Sequence, residues 1–191
     1  MKADLVFTHM PFPHEKWKDR IVITVDVLRA STTICIAMRN GAKEIIPFEN
    51  VPDAMELAAN LSKENSLLCG EREGKIIEGF DLGNSPFDYT PLKIKDKILV
   101  FCSTNGSKAL VKAGHAKDAL VCGLVNVQAC GEYILKKRED ILVVCAGNES
   151  QFSLEDTVCG GSLLRHIVDN YEGDIQTNDG AEAALILQEK Y

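Results

Sequence analysis

The residues best suited to chemistry lie in four short polar segments, each at the end of an apolar run. The segments are residues 26–33, 70–86, 103–106 and 145–156, and they supply carboxylates, arginines and hydroxyls. Carboxylate oxygens are the ligands that Mg²⁺ prefers, and arginine binds phosphate or sulfonate groups with paired hydrogen bonds. The residue types therefore indicate a site for a hard cation and a small anion.

The first segment begins with a carboxylate where a strand is expected to end. Asp26 closes the apolar run 21–27, which is predicted to form a buried strand. An ionised carboxylate is costly to bury alone, so Asp26 is expected to face either Arg29 or a metal ion. The free N–H groups of the following helix bind anions, and nearby hydroxyls add donors. These hydroxyls belong to Ser31, Thr32 and Thr33. A strand-end salt bridge with an ordinary N-cap is the alternative.

The second segment brackets charged residues with glycines, which let the backbone approach a ligand closely. Glu71 and Asp81 are candidate Mg²⁺ ligands. Arg72 is a candidate catalytic residue that grips a phosphate or sulfonate with two parallel hydrogen bonds. The candidate substrate-binding residues here are Asn84 and Ser85. The alternative is a solvated charged loop.

The third segment is a turn between a predicted strand and a helix, and the fourth leads into the first turn of another helix. In the third, N–H groups and hydroxyls indicate an anion site. Its candidate substrate-binding residues are Thr104, Asn105 and Gly106. In the fourth, Asp156 is a candidate metal ligand. The alternatives are an ordinary strand-to-helix turn and acidic residues that complement a helix dipole.

Apolar β-rich runs alternate with helical periodicity, which predicts an α/β fold with a largely parallel sheet covered by helices. Ser31 is the predicted N-cap of a helix over about 32–40, and residues 70–91 are predicted to form an ordered long loop or irregular insertion. Ligands of such sheets bind at the carboxyl ends of the strands. The sheet is therefore expected to bring all four segments to one edge.

This convergence gathers four candidate metal ligands near two arginines. The ligands are Asp26, Glu71, Asp81 and Asp156. Two bare carboxylates about 4 Å apart repel by about 4 kcal/mol at an effective dielectric constant of about 20, so the cluster needs a cation or protons. A ligand set made of oxygen atoms, without histidine or cysteine, favours Mg²⁺ over Zn²⁺.

The chain has 191 residues, of which 46% are apolar and 26% charged, and a formal net charge of −7. This length suits a single domain over 1–191, or two α/β lobes of about 1–95 and 96–191. The negative charge argues against a nucleic-acid partner, and no apolar run is long enough to cross a membrane. The absence of an apolar signal-peptide core and of any C-x-x-C pair among the seven cysteines favours a reducing cytoplasm.

At these segments the sequence resembles the 2-phosphosulfolactate phosphatase (ComB) family. The matching strings are DVLRASTT at 26–33, NGAKEIIP at 40–47, GEREG at 70–74, GFDLGNSP at 79–86, TNG at 104–106, CAG at 145–147 and ED at 155–156. They occur in order over about residues 5–160, and two of them, DVLRASTT and GFDLGNSP, are far more specific than a glycine-rich loop.

The resemblance implies a three-layer α/β/α fold with a largely parallel or mixed sheet. It also implies a Mg²⁺-dependent hydrolase that converts 2-phospho-3-sulfolactate to 3-sulfolactate and phosphate, a step of coenzyme M biosynthesis in archaea. Family chains usually continue beyond this point with a further strand and helix, whereas this one ends at Tyr191. We therefore expect either a truncated chain or a short variant, without any site residue or sheet edge that the tail supplies.

The combined hypothesis assigns Mg²⁺ to two or more of the four carboxylates. Arg29, Arg72 and the N–H groups around 31–33 and 104–106 bind the phosphate and the acidic tail of a small anionic substrate. Asp26 is either a nucleophile or the base that activates water. The alternatives are a phosphatase of another small phosphorylated carboxylate and a non-catalytic anion-binding protein. A homo-oligomer is a further open expectation.

Overall fold

The computed structural model describes residues 1–9, 17–149 and 151–191, and its strands form two sheets. The first sheet has the strand order β7-β2-β8-β1-β9, with every neighbouring pair parallel. Its strands are β1 (Lys2–Val6), β2 (Ile21–Val25), β7 (Asp118–Cys122), β8 (Ile141–Cys145) and β9 (Gln176–Thr177). They come from both ends of the chain.

The second sheet has the strand order β3-β6-β4-β5. Its strands are β3 (Glu44–Phe48), β4 (Ser66–Arg72), β5 (Lys75–Ile76) and β6 (Ile98–Cys102). The pairs β3–β6 and β4–β6 are parallel, whereas β5 runs antiparallel to β4 and forms a hairpin with it. This sheet is therefore mixed, and all of it comes from one continuous stretch of chain.

Helices cover both faces of each sheet. The helices are α1 (Ala30–Arg39), α2 (Val51–Asn60), α3 (Pro91–Ile94), α4 (Gly106–Ala113), α5 (Val127–Lys137), α6 (Leu154–Asn170) and α7 (Asp179–Gln188). Helices α5, α6 and α7 pack on one face of the first sheet, and α2 packs on the outer face of the second. Helices α1 and α4 contact strands of both sheets and form a shared middle layer.

The core follows the alternation of side chains along the strands. On β2, Ile21, Ile23 and Val25 face α5, α6 and α7, while Val22 faces the opposite side. The five-residue run of β8 is likewise buried throughout. Strands covered on both faces read as continuous apolar runs, which is why these two were recognisable in the sequence.

The α/β fold with parallel and mixed sheets and helices on both faces is confirmed. The expectation that one sheet brings all four polar segments to a single edge is wrong, because the segments follow strands of two different sheets. Strand–helix alternation identifies the elements but not their pairing partners, which are distant in sequence. The single domain and the lobes of about 1–95 and 96–191 stay predictions.

Two local expectations are corrected. Ser31 is not the N-cap of α1, because Arg29 occupies that position and the Ser31 hydroxyl accepts a hydrogen bond from the Asp26 N–H. Residues 70–91 are more regular than a loop, since β4 continues to Arg72 and turns back into β5. Charged residues at a strand end looked like loop residues in the sequence.

Two further observations concern the chemistry of the chain. All seven cysteines are free thiols; six are buried and Cys35 is half-buried. Their interpretation as small buried side chains is thus confirmed for six of them. Within the described ranges, no helix is long and apolar enough to cross a membrane.

The packing of α6 against α7 generates a prediction about stability. A Cβ atom on Gly161 of α6 would overlap the carbonyl oxygen of Ala184 in α7. Alanine has the better helix propensity by about 1 kcal/mol, but the overlap forces the two backbones apart. We expect Gly161→Ala to lower the free energy of unfolding by about 1–3 kcal/mol, measured by denaturant unfolding.

Gly83→Ala is the matched control, because a Cβ there meets nothing closer than a side-chain carbon of Ile76 at 3.7 Å. That variant should unfold close to the wild-type midpoint. An unchanged or raised midpoint for Gly161→Ala would show that α6 and α7 do not pack as described.

Candidate active site

A cavity of about 410 Å³ opens where strands of the two sheets end side by side. Strands β2 and β8 are neighbours in the first sheet, and β4 and β6 are neighbours in the second. The cavity is lined by Asp26, Leu28, Arg29, Glu71, Glu73, Gly74, Asn84, Thr104, Asn105, Gly147, Asn148, Glu149, Ser153, Glu155 and Asp156. All four polar segments therefore meet, as expected, although they come from two sheets.

Asp26 lies directly after β2 and is held between two helix N-termini. Its Oδ1 accepts a hydrogen bond of 3.3 Å from the Ala30 N–H at the start of α1. Gly106, the first residue of α4, lies against Oδ2, where a Cβ atom would overlap the carboxylate oxygen. The carboxylate of Asp26 thus sits where both helices favour negative charge.

Asp156 joins the ends of β2 and β8. It lies in the first turn of α6, whose N-cap is Ser153, and only 3% of its surface is exposed. Its Oδ1 accepts a hydrogen bond of 2.8 Å from the Val27 N–H, and its Oδ2 accepts one of 3.1 Å from the Gly147 N–H. One carboxylate therefore fixes the loops that follow two neighbouring strands.

Both carboxyls are hard to ionise. Burial raises the pKa of Asp26 to about 7, and the negative charge of Asp156 contributes to the same increase. Burial also raises the pKa of Asp156 to about 6, against the opposing effect of the N–H groups of Val27 and Gly147. Near neutral pH this pair holds protons or needs a cation.

Glu71 is a further carboxylate of the cavity, and it is buried, with 7% of its surface exposed. Its Oε1 accepts a hydrogen bond of 2.7 Å from the Thr104 N–H. Its Oε2 accepts bonds from the Gly74 N–H at 2.8 Å and from the Thr104 hydroxyl at 3.1 Å. Both oxygens of Glu71 are thus engaged by neighbouring loops.

The charge of the cavity is unbalanced. Among the described residues that line it, six carry carboxylates, and Arg29 supplies the guanidinium. Arg29 Nη2 donates a hydrogen bond of 3.3 Å to the carbonyl oxygen of Gly74 in the hairpin. An anionic ligand could therefore bind at Arg29 but would meet repulsion elsewhere unless a cation is also present.

Two predicted residues are not brought to the cavity. The Arg72 guanidinium donates to the carbonyl oxygens of Glu71 and Glu49, and to Cys102 Sγ at 2.9 Å. Asp81 Oδ2 accepts a hydrogen bond of 2.8 Å from the Leu68 N–H and lines a separate surface pocket beside α2. The proposed catalytic role of Arg72 and the metal role of Asp81 therefore have no support from the geometry.

Most of the predicted anion-binding groups have internal partners. The hydroxyl of Thr32 donates to the Val27 carbonyl oxygen, and that of Thr33 donates to the Asn84 carbonyl oxygen. The Ser31 N–H donates to the Asp26 carbonyl oxygen. The predicted substrate-binding residues that do not line the cavity are Ser31, Thr32, Thr33, Ser85 and Gly106, whereas Asn84, Thr104 and Asn105 do.

Sequence reasoning also missed residues that line the cavity. Glu73 and Leu28 lie inside recognised strings, and Glu149 lies two residues after one of them. Their place in or near those strings was the only available signal, because exposed glutamates are common in loops. The two glutamates add negative charge to the rim of the cavity.

Asn84 has the most informative side chain among the predicted substrate-binding residues. It is 5% exposed, and its Oδ1 finds no hydrogen-bond partner among the described residues. Buried amide oxygens are rarely left unpaired. Since Asn84 lines the cavity, an unpaired oxygen here suits a ligand that offers a donor or a cation.

The donor set is compatible with Mg²⁺. Asp26, Asp156 and Asn84 offer hard oxygen atoms, and burial together with nearby carboxylates raises the pKa of each of the two carboxyls. Within residues 1–9, 17–149 and 151–191, no group of three His, Cys, Asp or Glu side chains is arranged to hold a metal ion. Mg²⁺ often uses only one or two carboxylates, together with water and substrate phosphate oxygens.

Comparison with known proteins gives a consistent result. The family model described as 2-phosphosulpholactate phosphatase matches residues 6–191. A protein of Caldanaerobacter subterraneus named probable 2-phosphosulfolactate phosphatase is 40% identical over 174 residues, which cover 91% of this chain and 71% of the relative.

Two further relatives carry the same name. One from Symbiobacterium thermophilum is 36% identical over 94% of this chain and 76% of its own length. One from Clostridium beijerinckii is 32% identical over 98% of this chain and 78% of its own length. On these matches, and with a polar cavity where the family's motifs meet, the chain belongs to the 2-phosphosulfolactate phosphatase family.

Proposed function

We propose that the chain is a Mg²⁺-dependent phosphatase that hydrolyses 2-phospho-3-sulfolactate to 3-sulfolactate and phosphate, the reaction of coenzyme M biosynthesis. The observation that carries this proposal is the carboxylate pair, half-buried Asp26 and buried Asp156, beside Arg29 in one cavity. The family match and the names of the relatives support the same activity.

The charges of the cavity and of the substrate explain why a cation is part of the proposal. The substrate carries phosphate, sulfonate and carboxylate groups, all of them anionic. The cavity lining has six carboxylates, so the bare site repels such a ligand. A divalent cation removes that repulsion while it leaves Arg29 free to bind an anionic group.

Asp156 and the amide oxygen of Asn84 are the proposed Mg²⁺ ligands. Asp156 is nearly inaccessible to water and already oriented by two N–H groups, and Asn84 Oδ1 has an unused acceptor. When bound, Mg²⁺ neutralises charge on the phosphoryl oxygens and polarises them as a Lewis acid. This assignment uses one carboxylate, which is common for Mg²⁺.

Asp26 is the proposed general base. Its pKa of about 7 lies near the expected working pH, where proton transfer is most effective. In the ionised form it takes a proton from the attacking water, whose oxygen bonds to phosphorus. The phosphorus–oxygen ester bond then breaks, and its electron pair stays on the substrate oxygen. That oxygen takes up a proton from solvent water to give 3-sulfolactate, and Asp26 returns its proton to solvent. Arg29 binds the phosphate during this exchange.

Phosphate release by the purified chain tests the activity itself. We expect turnover of 2-phospho-3-sulfolactate with Mg²⁺ and none in excess EDTA, because the anionic substrate needs a cation in the acidic cavity. We also expect kcat/KM to be lower for 2-phospholactate than for 2-phospho-3-sulfolactate. Because 2-phospholactate lacks the sulfonate, the difference measures how far the site recognises that group.

Two outcomes would contradict the proposal. Equal kcat/KM values for the two substrates would favour a phosphatase of other small phosphorylated carboxylates. A folded chain that binds these anions but releases no phosphate would be a non-catalytic anion-binding protein.

Replacement of Asp26 by asparagine separates catalysis from metal binding. We expect Asp26→Asn to lower kcat by about 10²–10⁴-fold, since the base is removed. The Mg²⁺ concentration for half-maximal rate should stay near the wild-type value. In wild type, kcat should fall in acid as Asp26 takes up a proton, at a pH below its metal-free pKa of about 7 because bound Mg²⁺ favours the ionised carboxylate. A strongly raised Mg²⁺ requirement in the variant would make Asp26 a ligand instead.

The same variant should be more stable than wild type at pH 8 without Mg²⁺. The folded-state pKa of Asp26 is raised from 3.8 to about 7. Its contribution to stability is therefore present below about pH 4 and is lost as the pH rises through 7. Asparagine does not ionise, so the free energy of unfolding should increase by up to about 4 kcal/mol at pH 8 and little at pH 4. Thermal melts at both pH values measure this difference.

Arg29 has a separate role in the proposal. Because its guanidinium is the proposed phosphate-binding group, Arg29→Gln should raise KM by about 10–100-fold. Arg39→Gln, on the last turn of α1, is the control for loss of one positive charge. Equal effects of the two variants would show that only the net charge matters.

A further inference from the structure

Glu71 was predicted as a metal ligand, but its hydrogen bonds indicate a different role. The carboxylate accepts three hydrogen bonds, all from two loops: the turn of the β4–β5 hairpin and the turn between β6 and α4. An ionised acceptor forms shorter and stronger hydrogen bonds than a neutral one. Glu71 therefore ties the hairpin to the neighbouring strand end.

The hairpin turn has few other interactions that would fix its conformation. Its two central residues, Glu73 and Gly74, have φ angles of 52° and 77°, as a two-residue turn of type I′ requires. Both are exposed, and β5 pairs with β4 through only Lys75 and Ile76. A two-residue strand provides little stability by itself, so the bond from the Gly74 N–H to Glu71 orients the turn.

The hairpin turn also contacts Arg29, the arginine that lines the cavity. The carbonyl oxygen of Gly74 accepts the hydrogen bond from Arg29 Nη2 at 3.3 Å, while its N–H donates to Glu71 at 2.8 Å. One residue thus links the Glu71 carboxylate to the Arg29 guanidinium. Fixing a long side chain in advance reduces the entropy lost when it binds a ligand.

We propose that Glu71 is a positioning residue, which acts through the hairpin turn to hold the Arg29 guanidinium in place for the substrate's anionic groups. The inference rests on the proposed function for the identity of those groups. The tie between the two loops does not depend on it. In this assignment the carboxylate of Glu71 holds the two loops, and the proposed metal ligands are Asp156 and Asn84.

Glu71→Gln tests the inference by kinetics. The amide keeps the size of the side chain, but its NH₂ cannot accept from an N–H. We expect KM for 2-phospho-3-sulfolactate to rise about 10–100-fold, as in Arg29→Gln, because a displaced binding group loses its alignment. The Mg²⁺ concentration for half-maximal rate should stay within about twofold of wild type. The double variant with Arg29→Gln should be little worse than either single one.

Two measurements give an answer without turnover. Amide hydrogen exchange of Gly74 and Thr104 should speed up in Glu71→Gln, because their N–H groups lose an acceptor. Inorganic phosphate, titrated by calorimetry, should bind more weakly to Glu71→Gln and to Arg29→Gln by similar factors. If the wild-type chain releases no phosphate from the substrate, the proposed function is wrong. Amide exchange would still show whether Glu71 holds the two loops together.

Matched variants cover the case in which Glu71→Gln does not fold. Thr104→Val removes only the hydroxyl bond to Glu71, whereas Thr104→Ser keeps it, so Thr104→Val should show the larger increase in KM and Thr104→Ser the smaller one. Glu78→Gln removes an exposed carboxylate of the same region that does not line the cavity, and it should leave all parameters unchanged.

The inference is overturned by either of two results. A Mg²⁺ requirement that rises about tenfold or more in Glu71→Gln, with KM unchanged, would make Glu71 a metal ligand. Unchanged amide exchange at both Gly74 and Thr104 would show that the carboxylate does not hold the loops.

Discussion

The structure depends on how three carboxylates are kept at the junction of two sheets. Asp26, Glu71 and Asp156 each accept hydrogen bonds from backbone N–H groups of loops or helix starts that follow the strands. Such bonds offset part of the cost of burying a negative charge. The same bonds fix the loops, so these carboxylates also define the shape of the cavity.

The shared helix layer explains why these loops meet. Helices α1 and α4 contact both sheets, and both begin at the cavity. Their N-termini converge on Asp26 rather than on an open anion site. In the proposed function, the phosphate of a substrate is therefore bound by other groups, namely Arg29 and a cation. The sequence suggested a set of open helix N-termini, whereas the structure has an acidic pocket there.

The sequence predicted the elements and the meeting of the four segments, because apolar runs and glycines mark strand ends reliably. It did not predict which neighbouring residue faces the cavity. Glu71 and Arg72 are adjacent on β4, and adjacent side chains of a strand point to opposite faces, so only one of the two could line the site. Which of the two faces the cavity depends on how β4 pairs with β6, a strand that is remote in sequence. The same long-range pairing separates Asp81 from the other carboxylates and divides the strands into two sheets.

The second sheet is formed by one uninterrupted stretch, from Glu44 to Cys102, between α1 and α4. That stretch supplies one wall of the cavity, including Glu71, Gly74 and Asn84, while Asp26 and Asp156 come from outside it. Changes confined to this single stretch alter one wall of the cavity and leave Asp26, Arg29 and Asp156 in place. Because the proposed metal ligand Asn84 also lies in this stretch, one block of the chain would both shape the surroundings of a ligand and help to hold its cation.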